Sequence, residues 1–152
     1  MSGATQTTDA IKQEIAQDPH ALVVPDKTGV IDAHRYEINV YERVFIPKSV
    51  TQIGDFAFDR CKKLREVVIE EGSKLRTIGK DAFRNCRKLA KLTFPEGLET
   101  IGKYIFYDSG IEEIVLPNTL KEIDEYAFRG APKLKTVWVE AGCTLDIRNY
   151  VG

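Results

Sequence analysis

Apolar residues recur along this chain with a period of more than twenty residues. The stretches IGDFAFDRCKKLREVVI (53–69), IGKDAFRNCRKLAKLTF (78–94), IGKYIFYDSGIEEIVL (101–116) and IDEYAFRGAPKLKTVWV (123–139) place apolar residues at equivalent positions, and IDAHRYEINVYERVFI (31–46) has the same pattern in degraded form. The isoleucines that begin these stretches are 22 to 25 residues apart. A period of this length is typical of a solenoid, whose units bury their apolar faces only by stacking on one another.

Each stretch ends in alternating apolar and polar residues, which is typical of a short strand buried on one face. With the earlier LVVP at residues 22–25, the sequence predicts six short parallel strands stacked about 4.8 Å apart. Because proline cannot donate to a strand ladder, it closes four of them. These prolines are Pro25, Pro47, Pro95 and Pro117. The Ala-Phe segment of each unit, such as Ala57-Phe58, is predicted to form a single helical turn on the opposite, convex wall.

The repeated pattern I-G-x-x-A-F-x-x-C-x-x-L-x-x-V-x-I-P resembles the BspA-type leucine-rich repeats, also called the Treponema pallidum class, over about residues 22–145. The resemblance implies an α/β fold: a leucine-rich repeat solenoid with a parallel β-sheet on its concave face and short helical turns on its convex face. It also implies binding to other proteins, because members of that family include bacterial surface adhesins. The family shares no catalytic residues, so the resemblance supplies none here.

The N-terminal residues depart from the repeat and favour a short helix over residues 7–18. Thr8 or Asp9 is the expected N-cap, and Ile11 and Ile15 lie on one helical face. We expect this helix to cover the exposed core of the first repeat, because solenoids need capped ends.

Three regions are therefore predicted. Residues 1–20 form an N-terminal helical cap, and residues 21–145 form the leucine-rich repeat domain, with about five repeats of which the first is degenerate. Residues 146–152 are either a C-terminal cap or a truncated repeat, and the sequence leaves both interpretations open.

Composition supports strands and argues against two classes of partner. Fourteen Ile and twelve Val against ten Leu favour strands over a helical bundle. The 22 basic and 23 acidic residues leave a net charge of -1, which argues against nucleic acid and anionic membranes. Without a recognisable leader or membrane span, the chain is predicted to be cytoplasmic, or at the cell surface if it is a fragment of a longer protein.

The three cysteines form no CxxC pair, so they indicate neither a disulfide scaffold nor a zinc site. Cys61 and Cys86 occupy the same repeat position and are predicted to be reduced packing thiols, with a redox pair or metal site as the lesser alternative. His20 and His34 fit no catalytic motif. We therefore expect no enzyme activity, no cofactor and no resident metal.

The outward face of the predicted concave sheet carries the candidate binding site. Its central column is unusually apolar and includes the single Trp of the chain. A neighbouring column alternates in charge, which suits the alignment of a partner protein or peptide. The predicted site comprises Phe45, Val68, Thr93, Val115 and Trp138 of the apolar column and Arg43, Glu66, Lys91 and Glu113 of the charged column.

Other interpretations remain open at this stage. β-branched residues such as Val68 also stabilise a sheet by cross-strand packing, whereas Phe45 and Trp138 favour binding. The chain could instead be a structural or adhesive segment of a longer surface protein, and carbohydrate binding on the aromatic residues is a weaker alternative. A basic cluster before the strands is interpreted as a solvated edge.

Overall fold

The computed structural model describes residues 7–147, in which one helix precedes ten short strands. Their bounds are α1 Thr8–Ala16, β1 Ala21–Val23, β2 Val30–Ile31, β3 Arg43–Ile46, β4 Gln52–Ile53, β5 Glu66–Ile69, β6 Thr77–Ile78, β7 Thr100–Ile101, β8 Glu113–Leu116, β9 Glu122–Ile123 and β10 Thr136–Val139. The helix begins after the N-cap Thr7, whose hydroxyl accepts from the Ala10 N–H, so the cap lies one residue before the predicted position.

The strands pair in parallel on two walls of a solenoid. One wall carries the two-residue strands in the order β2-β4-β6-β7-β9, and the concave wall carries β1-β3-β5 and, separately, β8-β10. Each pairing joins equivalent positions of neighbouring units, as in Ile31 with Ile53 and Val115 with Trp138. The predicted solenoid with a parallel sheet is confirmed, as is the alignment of Phe45 with Val68.

The convex wall differs from its prediction. Its segments are hydrogen-bonded turns, not helical turns, and they contain residues in the left-handed region, such as Phe56 at φ 56° and Arg60 at φ 58°. Alternate amides donate to the next unit along the chain: Phe58 N–H to the Ala82 carbonyl at 2.9 Å and Arg60 N–H to the Arg84 carbonyl at 2.8 Å. Because these bonds run between units, the convex wall is a third backbone ladder.

The core between the walls is a column of stacked side chains, one set from each unit. Phe58 and Phe83 stack with ring centroids 5.4 Å apart, and Phe83 and Phe106 follow at 6.1 Å. All three rings are fully buried. Stacking of this kind means that one unit provides the apolar surface that the next unit needs.

Cys61 and Cys86 extend this column as free, buried thiols. Each donates to a carbonyl of the preceding unit, Cys61 Sγ to Tyr36 at 3.2 Å and Cys86 Sγ to Phe58 at 3.1 Å. Burial raises the pKa of Cys86 well above its ordinary value. Burial and these hydrogen bonds agree with the prediction that Cys61 and Cys86 are reduced packing thiols.

The concave wall is interrupted at one predicted strand. Residues 91–94 form only an isolated bridge, between Lys91 and Glu113, and do not pair with β5. Of the six short strands predicted, the one in this unit is therefore wrong, although the register of the flanking strands is as expected.

A buried carboxylate that the sequence did not indicate joins two units on the convex side. Asp59 is fully buried, and Arg84 of the next unit donates to its two oxygens at 3.0 and 2.9 Å. Burial raises the pKa of Asp59, but the hydrogen bonds and charge of Arg84, with bonds from Asn85 and Arg60, lower the pKa below its ordinary value. Asp59 is therefore more stable as the anion in the folded chain.

Replacing this carboxylate with Asp59→Asn is expected to lower the free energy of unfolding by about 1–3 kcal/mol at neutral pH. A lowered folded pKa gives stability that is present above the unfolded pKa of about 3.9 and is lost as pH falls through the folded value. The difference between wild type and Asp59→Asn should therefore shrink below about pH 4. Urea denaturation across pH measures it, with the exposed Glu125→Gln as control. A difference that stays constant with pH would contradict this role.

Candidate interaction surface

The N-terminal helix lies on the outward side of the concave wall, against β1 and β3. Val44 and Ile46 of β3 point into the repeat core, so Phe45 between them points outward, yet Phe45 is fully buried. Ile15 of α1 is also fully buried outside the repeat core. The Lys12 ammonium lies 5.7 Å from the centroid of the Phe45 ring. The helix therefore covers Phe45.

Polar contacts fix α1 in this position. Arg43 of β3 donates to Glu14 of the helix at 3.0 Å and to Glu66 of β5 at 3.4 Å. The Thr8 hydroxyl accepts from the Glu71 N–H at 3.2 Å, which ties the start of the helix to the loop after β5. Arg43 keeps 12% of its side chain exposed. The helix is therefore bonded to β3 and to the loop that follows β5.

Two residues of the predicted site are thus not available as a free surface. The prediction that Phe45 is an exposed anchor is wrong, because α1 covers it, and Arg43 is committed to Glu14 and Glu66. The stripe of Ile11 and Ile15 was the signal in the sequence, since an amphipathic helix beside an apolar sheet face needs an apolar surface to bury. The sequence had indicated that the helix covers the exposed core at the end of the first repeat. In the structure it packs against the outward face of the sheet, on β1 and β3.

The rest of the apolar column remains open and is called here the concave strip: Val68, Thr93, Val115 and Trp138. Val68 and Val115 are half-buried, Thr93 is exposed, and Trp138 is 56% exposed. Trp138 pairs in register with Val115, so the two side chains lie side by side on one face. The strip places one large exposed aromatic ring at the end of an apolar row.

Charged residues run beside the concave strip as predicted. Glu66, Lys91 and Glu113 occupy one column, and the bridge between Lys91 and Glu113 fixes their relative position. Lys91 and Glu113 are exposed, whereas Glu66 shares Arg43 with the helix. Two of the four predicted charges are therefore free to meet a partner.

A cleft opens where the concave wall is interrupted. It lies between β5 and residues 91–96, has a volume of about 950 Å³, and includes the loop that follows β5. Basic Arg65 and Lys91 line one end together with Glu66, which is paired with Arg43, and further acidic residues line the other end. These acidic residues are Glu70, Glu71 and Glu96. This cleft was not predicted from the sequence.

Both histidines lie at the surface. His34 stacks on Phe56 at 4.9 Å between ring centroids and its Nδ1 lies 2.8 Å from a Glu37 oxygen, while His20 is exposed. No cluster of three or more His, Cys, Asp or Glu suited to a metal ion occurs among residues 7–147. In the same part of the chain, no helix is long and apolar enough to cross a membrane.

The stacked units and their continuous core define a leucine-rich repeat solenoid. The family model described as "BspA type Leucine rich repeat region" matches residues 30–151 in six copies. The chain therefore belongs to the family of BspA-type leucine-rich repeat proteins. The sequence had indicated about five repeats over a similar range.

Solved structures of bacterial leucine-rich repeat proteins have the same fold. The chain is similar to a T. pallidum leucine-rich repeat protein, with 35% identity, a TM-score of 0.71, and coverage of 77% of this chain and 57% of that one. A leucine-rich repeat protein from Eubacterium ventriosum has 26% identity and a TM-score of 0.74, with 81% and 32% coverage. A leucine-rich cell surface protein from Faecalibacterium prausnitzii has 29% identity and a TM-score of 0.72, also with 81% and 32% coverage.

The chain thus spans between about a third and somewhat more than half of the length of these three proteins. No protein of curated function matches it significantly. The name of the F. prausnitzii protein refers to the cell surface, and neither the structure nor the comparisons support the predicted cytoplasmic location.

The packing of α1 through Ile15 can be tested by its effect on the free energy of unfolding. Ile15→Ala removes apolar contacts from a fully buried site, so we expect the free energy of unfolding to fall by about 2–4 kcal/mol. Gln13→Ala, on an exposed position of the same helix, should change it by less than about 0.5 kcal/mol. Urea denaturation of both variants measures the difference. Equal effects would show that α1 does not dock through Ile15.

Proposed function

We propose that this chain is a non-catalytic protein-interaction module that binds a partner protein or peptide through the concave strip. Leucine-rich repeat domains typically mediate protein interactions. The observation that carries the proposal is the exposure of Trp138, 56% of which is open to solvent although it lies in register with the half-buried Val115. Exposed aromatic residues beside apolar neighbours supply much of the free energy at protein interfaces.

The sheet beneath the strip supports this role. β8 and β10 pair over four residues, so Val115 and Trp138 are presented by a hydrogen-bonded backbone and lose little conformational freedom on binding. Lys91 and Glu113 lie beside the strip with opposite charge. Opposite charges at the margin of an apolar strip favour one alignment of the partner over others.

A structural or adhesive role within a longer surface protein is the second candidate. The E. ventriosum and F. prausnitzii relatives are about three times longer than the region they share with this chain, and the latter is named as a cell surface protein. Stacked units of this length would then be part of a longer array. Carbohydrate binding has less support, because Phe45 is covered and Trp138 is the one aromatic residue of the predicted column that remains exposed.

The proposal is tested by removing the apolar surface of the strip. In Val115→Ser/Trp138→Ser, partner recovery in a pull-down from the source cells should fall by about tenfold or more, because the aromatic anchor is lost. The matched control is Val30→Ser/Ile38→Ser, which removes two exposed apolar residues elsewhere on the surface. Circular dichroism verifies that both variants fold. Equal recovery of the same partner by wild type and both variants would refute binding through the strip.

A further inference from the structure

The cleft is bordered by a strand edge that has no partner within the described chain. β5 is the last strand of its sheet. Glu66 and Glu70 donate their N–H groups to Glu42 and Ile46, toward β3. Because alternate residues of a parallel strand bond to opposite sides, Val67 and Ile69 direct their N–H and C=O groups into the cleft.

The core is also more accessible at this edge than beneath β3 and β8. Val67 is 8% exposed, whereas the equivalent Val44 and Ile114 are 0% and 1% exposed. Ile69 is half-buried, although its counterpart Ile46 is fully buried. An apolar side chain inserted here would gain burial that the chain itself does not supply.

The loop after β5 explains why the cleft is open. Nine positions separate Ile69 from Ile78, but seven separate Ile46 from Ile53, so this connection is two residues longer. Its backbone is held toward the start of the chain: the Glu71 N–H donates to the Thr8 hydroxyl. The Lys74 N–H likewise donates to the Lys48 carbonyl at 3.0 Å. These contacts draw the loop toward α1 and β3, away from residues 91–96.

The opening is confined to one wall. On the convex side the same two units are joined by Phe58 N–H to the Ala82 carbonyl and by the ion pair of Asp59 with Arg84. On the remaining wall β4 pairs with β6 before the cleft, and β6 pairs with β7 after it. Because the other two walls hold the two units together, the cleft is open on the concave wall alone. A ligand can enter it without breaking the bonds that join the units.

We propose that this cleft binds an extended peptide segment of another protein, which adds to β5 as a parallel strand. Strand addition uses main-chain hydrogen bonds for affinity and alternate side chains for specificity. The charges of the cleft select the sequence. Arg65 and Lys91 at the start of the strand suit an acidic residue, since Glu66 at the same end is already paired with Arg43. The carboxylates at the other end suit a basic residue. The segment therefore has an acidic residue, alternating apolar residues, and then Lys or Arg.

This inference goes beyond the concave strip, because the cleft takes a strand between two units and uses the backbone of β5. Val68 and Thr93 of the concave strip also line the cleft, but Val115 and Trp138, the residues that are changed to test the strip, do not. Binding in the cleft can therefore be measured with a synthetic probe, independently of any partner of the strip, and either proposal can fail without the other.

The test uses the hexapeptide EVTVTK, labelled with a fluorophore, in fluorescence anisotropy against the full chain. We expect saturable binding, with the largest amide chemical-shift changes at Val67 and Ile69. The charge-reversed KVTVTE should bind about tenfold more weakly, and EVPVPK, which lacks two N–H donors, should not bind measurably. Failure of EVTVTK to bind, or equal binding of either control peptide, would overturn the proposal.

A charge exchange at the acidic end identifies the site. Glu96 is exposed, so Glu96→Lys should fold normally and bind EVTVTK about fivefold more weakly than wild type. The peptide EVTVTE should show the opposite preference and bind Glu96→Lys more tightly than wild type. If both peptides bind the two proteins equally, or if the shifts at Val67 and Ile69 do not change, the segment does not bind in the cleft.

Discussion

The structure depends on backbone hydrogen bonds between neighbouring units. No unit encloses a core of its own, since each phenylalanine is covered by the rings of the units before and after it. The bonds on the concave wall, the convex wall and the five-stranded sheet hold these rings at stacking distance. A change in one wall is therefore absorbed by the other two, as occurs beside β5.

Both candidate surfaces follow from this arrangement. The parallel ladder aligns equivalent residues of successive units. An outward position that is apolar in several units therefore forms a row of apolar side chains, which includes Val115 and Trp138. The cleft arises where the ladder fails, because the longer loop after β5 is bonded to Thr8 and Lys48 instead of following the next unit. The N-terminal helix contributes to both features: it covers Phe45 and anchors that loop.

Much of the fold could be predicted because every repeat must bury its apolar side chains against its neighbours, so the same pattern recurs in each unit. The isoleucine period gave the stacking, and the alternation in each unit gave the register of Phe45 with Val68. The cover over Phe45 could not be predicted, since an amphipathic helix shows that it needs an apolar surface but not which one. The convex turns were missed because residues such as Phe56 and Arg60 adopt positive φ without glycine. The two extra residues before Ile78 can be counted in the sequence. The path of that loop could not be predicted, because it depends on contacts with residues that are distant in sequence, such as Thr8.

Neighbouring units are joined on the convex wall, while the concave wall is open beside β5. Hydrogen exchange of the free protein, followed by NMR, tests it within one molecule. We expect strong protection for the amides of Phe58 and Val44. The amides of Val67 and Ile69 should exchange about 100-fold faster, relative to their intrinsic rates. Equal protection of all four amides would show that residues 91–94 close onto β5 and that the concave wall is not open there.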